Sequence, residues 1–166
     1  MNKFAIGIII FSCLILIGGV FLVSSQSTST SNISSFAYSL SAKEKPIAQA
    51  ENVFFDMGKM KVSQQRQKDF TVKNAGSKPL QLSNISSSCG CTVAKIIYNG
   101  RESKEFGMHS QSKEIFEIAP NSQATIRVIY KPFIMPVYGV VEREVYVSTN
   151  DPQNQKLVFS IKAYVE

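Results

Sequence analysis

Two cysteines one residue apart, Cys89 and Cys91 in Ser87-Ser88-Cys89-Gly90-Cys91-Thr92, are the residues of this chain whose type and spacing point most directly to chemistry. Three readings are open. Closed as a disulfide, the pair needs Cα atoms within about 4.4–6.8 Å, and Gly90 permits the contraction of an extended segment that this requires. So small a ring removes little chain entropy, so such a bond would be a reducible thiol-redox site rather than a strong staple. Held open, two thiolates form a soft clamp suited to copper(I) or zinc. Met108 and the single histidine, His109, would complete a soft-metal set of Cys89, Cys91, Met108 and His109 if their segment folds back over the pair. The spacing is not the Cys-x-x-Cys of persuasive zinc sites. In the third reading both cysteines are small buried residues ending a strand, with Gly90 in a turn or bulge and Met108 and His109 packing in a loop.

Enzymatic chemistry has little to build on. Nucleophilic catalysis by either cysteine needs a base oriented by a third group, and His109 is the sole imidazole available. Paired acids, a glycine-rich phosphate loop and a Ser-His arrangement are all missing from the sequence. No enzyme and no resident cofactor are expected, with copper or zinc as the alternative.

The elements that must position these residues follow from composition. Residues 1–3 carry Lys3, and residues 4–23 form an apolar run, Phe4 to Val23, with Cys13 inside it. Twenty residues at 1.5 Å rise span about 30 Å, the thickness of a bilayer core. The charge of Lys3 puts the N-terminus in the cytoplasm and the remainder outside. A single-pass signal anchor is therefore expected, with secretion after cleavage near Ser25 as the alternative. Residues 24–50 are rich in Ser and Thr, cannot bury a core and read as a flexible tether. Residues 51–166 hold enough Val, Ile, Phe and Tyr for one domain.

Within that domain the period is two. Leu157, Phe159, Ile161, Ala163 and Val165 alternate with Val158, Ser160, Lys162 and Tyr164, and Ala124, Ile126, Val128 and Tyr130 alternate in the same way. Phe70–Lys73, Leu80–Ile85, Glu144–Thr149 and Val53–Phe55 read as further strands, the last closed by Asp56-Met57-Gly58. Asn74-Ala75-Gly76-Ser77, Asn99-Gly100, Pro120-Asn121 and Asn150-Asp151-Pro152 supply turns. Short strands with a turn every ten residues or so predict an all-β fold, an immunoglobulin-like antiparallel β-sandwich of about seven strands behind one N-terminal transmembrane helix. The stretch Tyr98–Glu114 breaks the pattern and reads as an excursion able to carry binding.

The order of these pieces carries a resemblance. Phe70-Thr71-Val72-Lys73-Asn74-Ala75-Gly76, then Leu80-Gln81-Leu82, Ser88-Cys89-Gly90-Cys91-Thr92, Ile118-Ala119-Pro120-Asn121-Ser122 and Thr149-Asn150-Asp151-Pro152 resemble the bacterial family of domains of unknown function 1573. That family is similar to Hydin-like and ASH-type immunoglobulin domains. The resemblance covers roughly residues 52–166. It implies a seven-stranded sandwich, often behind a signal or anchor, and no established enzymatic activity. Pro120-Asn121 departs from the family's usual Pro-Gly turn, and Asn is the residue that best replaces Gly where φ is positive.

The net charge of +6 is spread along the chain, with Lys59, Lys61, Arg66 and Lys68 its nearest approach to a cluster. Such charges block pairing at strand edges, and no basic run interleaved with aromatics points to nucleic acid. The expected partners are the cytoplasmic membrane, through residues 4–23, and an envelope protein. Contact with the latter is expected through strand edges and the Tyr98–Glu114 excursion.

Overall fold

Alternation along the chain becomes inside and outside. The computed structural model describes residues 37–112 and 114–166, so the expected membrane helix over 4–23, the cleavage position near Ser25 and the first part of the tether lie outside the described residues. Among the described residues, no helix is long and apolar enough to cross a membrane.

The strands are β1 (Ala48–Ala50), β2 (Phe54–Met60), β3 (Arg66–Asn74), β4 (Leu80–Ser87), β5 (Thr92–Tyr98), β6 (Arg101–Glu102), β7 (Phe106–Gly107), β8 (Phe116–Ile118), β9 (Gln123–Tyr130), β10 (Gly139–Thr149) and β11 (Lys156–Val165). One 3-10 turn, Pro132–Ile134, interrupts them. Seven of the strands have seven residues or more. They form two sheets, one ordered β1-β3-β9-β5-β6 with β7 also on β5, the other ordered β2-β11-β10-β4-β8. Ala124, Ile126, Val128 and Tyr130 of β9 face Leu157, Phe159, Ile161, Ala163 and Val165 of β11 across one core, and all nine are buried. Phe70 of the first sheet meets Phe159 of the second with ring centroids 5.2 Å apart.

Several local expectations stand and others need correcting. Asn99 (φ 50°) and Gly100 (φ 74°) form the two-residue hairpin between β5 and β6, and Asn121 takes φ 59° where Gly was the usual residue. The sandwich is not wholly antiparallel, because β2 runs parallel to β11 along the edge of the second sheet. Parallel neighbours need a long crossover, and almost the entire domain lies between these two strands. Met57-Gly58 does not end β2. Gly58, at φ 71°, absorbs a bulge opposite Lys162–Tyr164, and the strand continues to Met60. The sandwich also takes in β1, placed by composition in the tether, since Ala48–Ala50 pair with β3.

The Tyr98–Glu114 excursion is used mainly to close an edge. Its strands β6 and β7 both fold back onto β5, and Phe106 is fully buried. A Cβ on Gly107 would stand 3.1 Å from Cγ1 of its pairing partner Val93, so β7 sits tight against the edge of β5. The excursion's tip, Met108-His109-Ser110, is exposed, as are the polar Asn99–Glu102 hairpin and Lys104.

Candidate functional site

The motif pieces divide by what their side chains do. Asn74 is fully buried and fully bonded. Its amide donates to the carbonyls of Lys78 (2.8 Å) and Ile118 (3.0 Å), and its oxygen accepts from Gly76 N (3.0 Å) and Ile47 N (3.4 Å). Asp151, equally buried, accepts from Ala48 N (2.9 Å), Gln153 N (2.9 Å) and the Asn154 amide (3.0 Å). Burial pushes its carboxyl up, but these donors outweigh it and hold it below the ordinary aspartate range. Both residues are structural ties between segments remote in sequence. Cys89-Gly90-Cys91 sits where the chain passes from β4 in one sheet to β5 in the other.

Backbone bonds already secure that passage. Thr92 N donates to Cys89 O at 3.3 Å, closing a four-residue turn, and Lys131 N donates to Cys91 O at 2.8 Å. Ser88 exchanges two bonds with Glu144 on β10, each 2.9 Å. The buried Ser87 hydroxyl reaches the carbonyls of Cys89 (2.8 Å) and Thr92 (2.6 Å). Within the turn, the Cys89 and Cys91 sulfurs stand at 2.03 Å, joined as a disulfide, with Cα atoms 5.3 Å apart.

The two sulfurs have different surroundings. Cys91 is wholly buried, while Cys89 keeps 8% of its surface. Arg143 of β10 aims its Nε at Cys91 Sγ from 3.3 Å, and its Nη1 donates to Glu142 O at 2.8 Å. Among the described residues no carboxylate pairs with Arg143. Thr92 Oγ1 lies 3.4 Å from Cys89 Sγ and 3.9 Å from Cys91 Sγ. Tyr130, the β9 partner of Thr92, is fully buried with its hydroxyl unpartnered among the described residues, and burial pushes its pKa up against the opposing pull of the Arg143 charge.

Above Gly90 the structure assembles only part of the expected soft-ligand set. A Cβ on Gly90 would lie 3.6 Å from His109 Nε2 and 3.6 Å from Met135 Sδ. His109 therefore comes to the turn as its segment folds back, but the thioether beside it belongs to Met135. Met108, 48% exposed, leaves much of its surface in solvent. Joined sulfurs hold no thiolate, so ligation by Cys89 and Cys91 requires prior reduction.

Sequence reasoning missed Arg143 and the segment after β9. Phe133 and Ile134 in the 3-10 turn and Met135, Val137 and Tyr138 just after it are 43–66% exposed. Lys131 pairs with Glu105 at 2.7 Å and pins the base of this segment to the excursion. A legible signal existed. An apolar run holding Pro132 and Pro136 cannot fill a strand interior and has no alternation to bury itself. Two open clefts of roughly 330 and 360 Å³ lie elsewhere, around Asn84 and Gln155 and around Arg101 and Glu117, and neither includes a cysteine.

No curated protein sequence matches the chain. Among solved structures, a protein of unknown function from Porphyromonas gingivalis W83 is similar, with TM-score 0.57 and 18% identity over 76% of this chain and 50% of that one. The chain thus spans half the length of that protein. A family 123 glycoside hydrolase from Clostridium perfringens gives TM-score 0.50 and 10% identity over 68% of this chain and 22% of the enzyme. The ASH / PapD-like domain 7 of human CEP192 gives 0.46 and 10% over 79% and 98%. At these identities a likeness concerns the fold alone. The family model described as Protein of unknown function (DUF1573) matches residues 48–165, in keeping with the ordered motifs from Phe70 to Pro152. The chain belongs to this DUF1573 family.

Proposed function

We propose that the chain is a membrane-anchored, extracytoplasmic immunoglobulin-like interaction domain that engages an extended apolar segment of an envelope protein. The observation that carries this reading is the exposed run Phe133 to Tyr138 at one end of the sandwich. Soluble monomers rarely leave contiguous apolar side chains in water, and patches that persist mark binding surfaces. The exposed residues of the Tyr98–Glu114 excursion are polar apart from Met108, so apolar contact shifts from the excursion to the segment after β9. Anchoring rests on the apolar run 4–23 and on the charge of Lys3.

Site-specific photo-crosslinking from position 138 in intact cells tests the partner. The expected result is a discrete adduct whose cross-linked peptide is an apolar stretch of an envelope protein, lost on Ile134→Asp. An adduct of twice the chain's mass, or none, overturns the reading. Protease added to spheroplasts tests the orientation. The domain should be digested while the N-terminus stays protected, and a domain already released into the medium would point instead to cleavage near Ser25.

A further inference from the structure

We propose that the Cys89–Cys91 disulfide is the electrophile of a thiol–disulfide exchange site, attacked at Cys89 by a cysteine thiolate of a partner protein and releasing Cys91 as a thiolate beside Arg143. Three observations meet here. First, the bond is structurally redundant. It spans one intervening residue, so it restrains the unfolded chain little, and the turn it closes is already held by Ser88, Thr92 and Lys131 backbone bonds. Second, the sulfurs are unequal in the sense that exchange requires. The attacked sulfur must be reached from outside and the leaving sulfur must carry negative charge. Both residues are buried, but Cys89 retains 8% of its surface and Cys91 none, so Cys89 is the nearer of the two to solvent. Cys91, buried, has a guanidinium 3.3 Å away that is not neutralised by any described carboxylate. A fixed positive charge at that distance lowers a thiol's pKa and makes it the better leaving group. Third, His109 and Met135 border the turn, and the exposed run 133–138 continues from Met135. A cysteine-bearing polypeptide can therefore dock beside Cys89.

The step balances without a further reagent. A partner thiolate forms a bond to Cys89 Sγ while the Cys89–Cys91 bond breaks, its electron pair leaving on Cys91 Sγ. A second thiolate of the same partner attacks the partner's sulfur in the mixed disulfide and expels Cys89. The partner dithiol is oxidised by two electrons to a disulfide. The two protons it gives up pass through solvent to Cys89 and Cys91, now a dithiol.

Oxidised full-length protein in detergent is mixed with reduced glutathione, quenched with an alkylating agent and mapped by fragmentation between residues 89 and 91. The expected product carries glutathione on Cys89 and alkyl on Cys91. Glutathione on Cys91, equal labelling, or no mixed disulfide overturns the proposal. Arg143→Gln should slow the reaction roughly 3–10-fold, the effect of one to two pKa units at a Brønsted slope near 0.5, with partial rescue by Arg143→Lys. In a Cys89→Ala background, Arg143→Gln should also raise the pH at which the Cys91 thiolate absorbance near 240 nm appears. An unchanged titration overturns the role of Arg143, a readout that loss of packing alone does not mimic. Tyr138→Asp should leave exchange with glutathione unchanged, so failure of the docking surface and failure of the sulfur chemistry are told apart.

Discussion

Replacing Gly76 by Ala tests whether residues 45–50 belong to the fold or to a tether. A Cβ at position 76 would collide with the carbonyl oxygen of Lys45 and stand 2.5 Å from Ile47 N and 2.7 Å from Pro46 C. All are backbone atoms, so no side-chain rotation relieves the clash, and the 45–47 segment must retreat by about 1 Å to reach ordinary contact. That segment is held by Ala75 N donating to Ile47 O (2.8 Å) and Ser77 N donating to Lys45 O (3.1 Å). Losing both at about 0.5–1.5 kcal/mol each gives a cost near 2 kcal/mol. For a domain of this size the expected fall in midpoint temperature is roughly 6–10 °C. Urea unfolding of a chain covering residues 37–166, followed by circular dichroism, measures the free-energy cost, and a thermal melt of the same chain measures the midpoint shift. Removing residues 37–47 as well should make Gly76→Ala silent, because the two changes delete the same contacts. A shift below about 0.5 kcal/mol with the segment present, or equal shifts with and without it, would refute the account of Gly76 as a site of close backbone approach.

Phe159→Ala should destabilise by about 3–5 kcal/mol in the same assay, because it empties the centre of the core opposite Phe70; a loss under about 1 kcal/mol contradicts the packing of the two sheets. Asp151→Ala strands the buried donors of Ala48 and Gln153 and should cost about 1–3 kcal/mol at neutral pH. Because the Asp151 carboxyl is held below its ordinary value when folded, its stabilisation is present above the unfolded value near 3.9 and is lost as pH falls through the lower folded value. The variant should therefore show a shallower loss of stability below about pH 4 than the parent, and parallel curves would refute the assignment. Tyr130→Phe removes a buried hydroxyl that has no partner among the described residues. It should be neutral or stabilising by about 1 kcal/mol, and a loss of that size instead would mean that the hydroxyl is bonded.

The family motifs were legible as a string, and their meaning was not. Asn74 and Gly76 read as a turn signal. In three dimensions Asn74 satisfies four groups on three separate segments, and Gly76 makes room for the passing chain. Strand β5 escaped notice because its inward face is Thr92, Ala94 and Ile96 while its outward face carries Val93 and Ile97. The apolar alternation that marks β9 and β11 is therefore absent there. Its outer side chains are half-buried because β7 and the excursion lie against them. The parallel pairing of β2 with β11 has no local signature either, since it joins the two ends of the domain.

Local physics acts over a few residues, and that range sets what could be read directly. Alternation, positive-φ turns at Asn99-Gly100 and Asn121, and the Cys-Gly-Cys spacing all express preferences of neighbouring residues for one backbone geometry. They are enough to establish a β-sandwich and to mark Cys89 and Cys91. The identities of the groups around the cysteines depend on which strands become neighbours. Arg143 lies 52 residues from Cys91 and reaches its sulfur only because β10 and β4 pair in a register that brings Glu144 to Ser88. Met135 replaces Met108 above Gly90 for the same reason, as the 3-10 turn after β9 delivers it to that end of the sandwich. Spacing along the chain nominates a pair of sulfurs, whereas the charge beside one and the unequal burial of the two are set by tertiary packing.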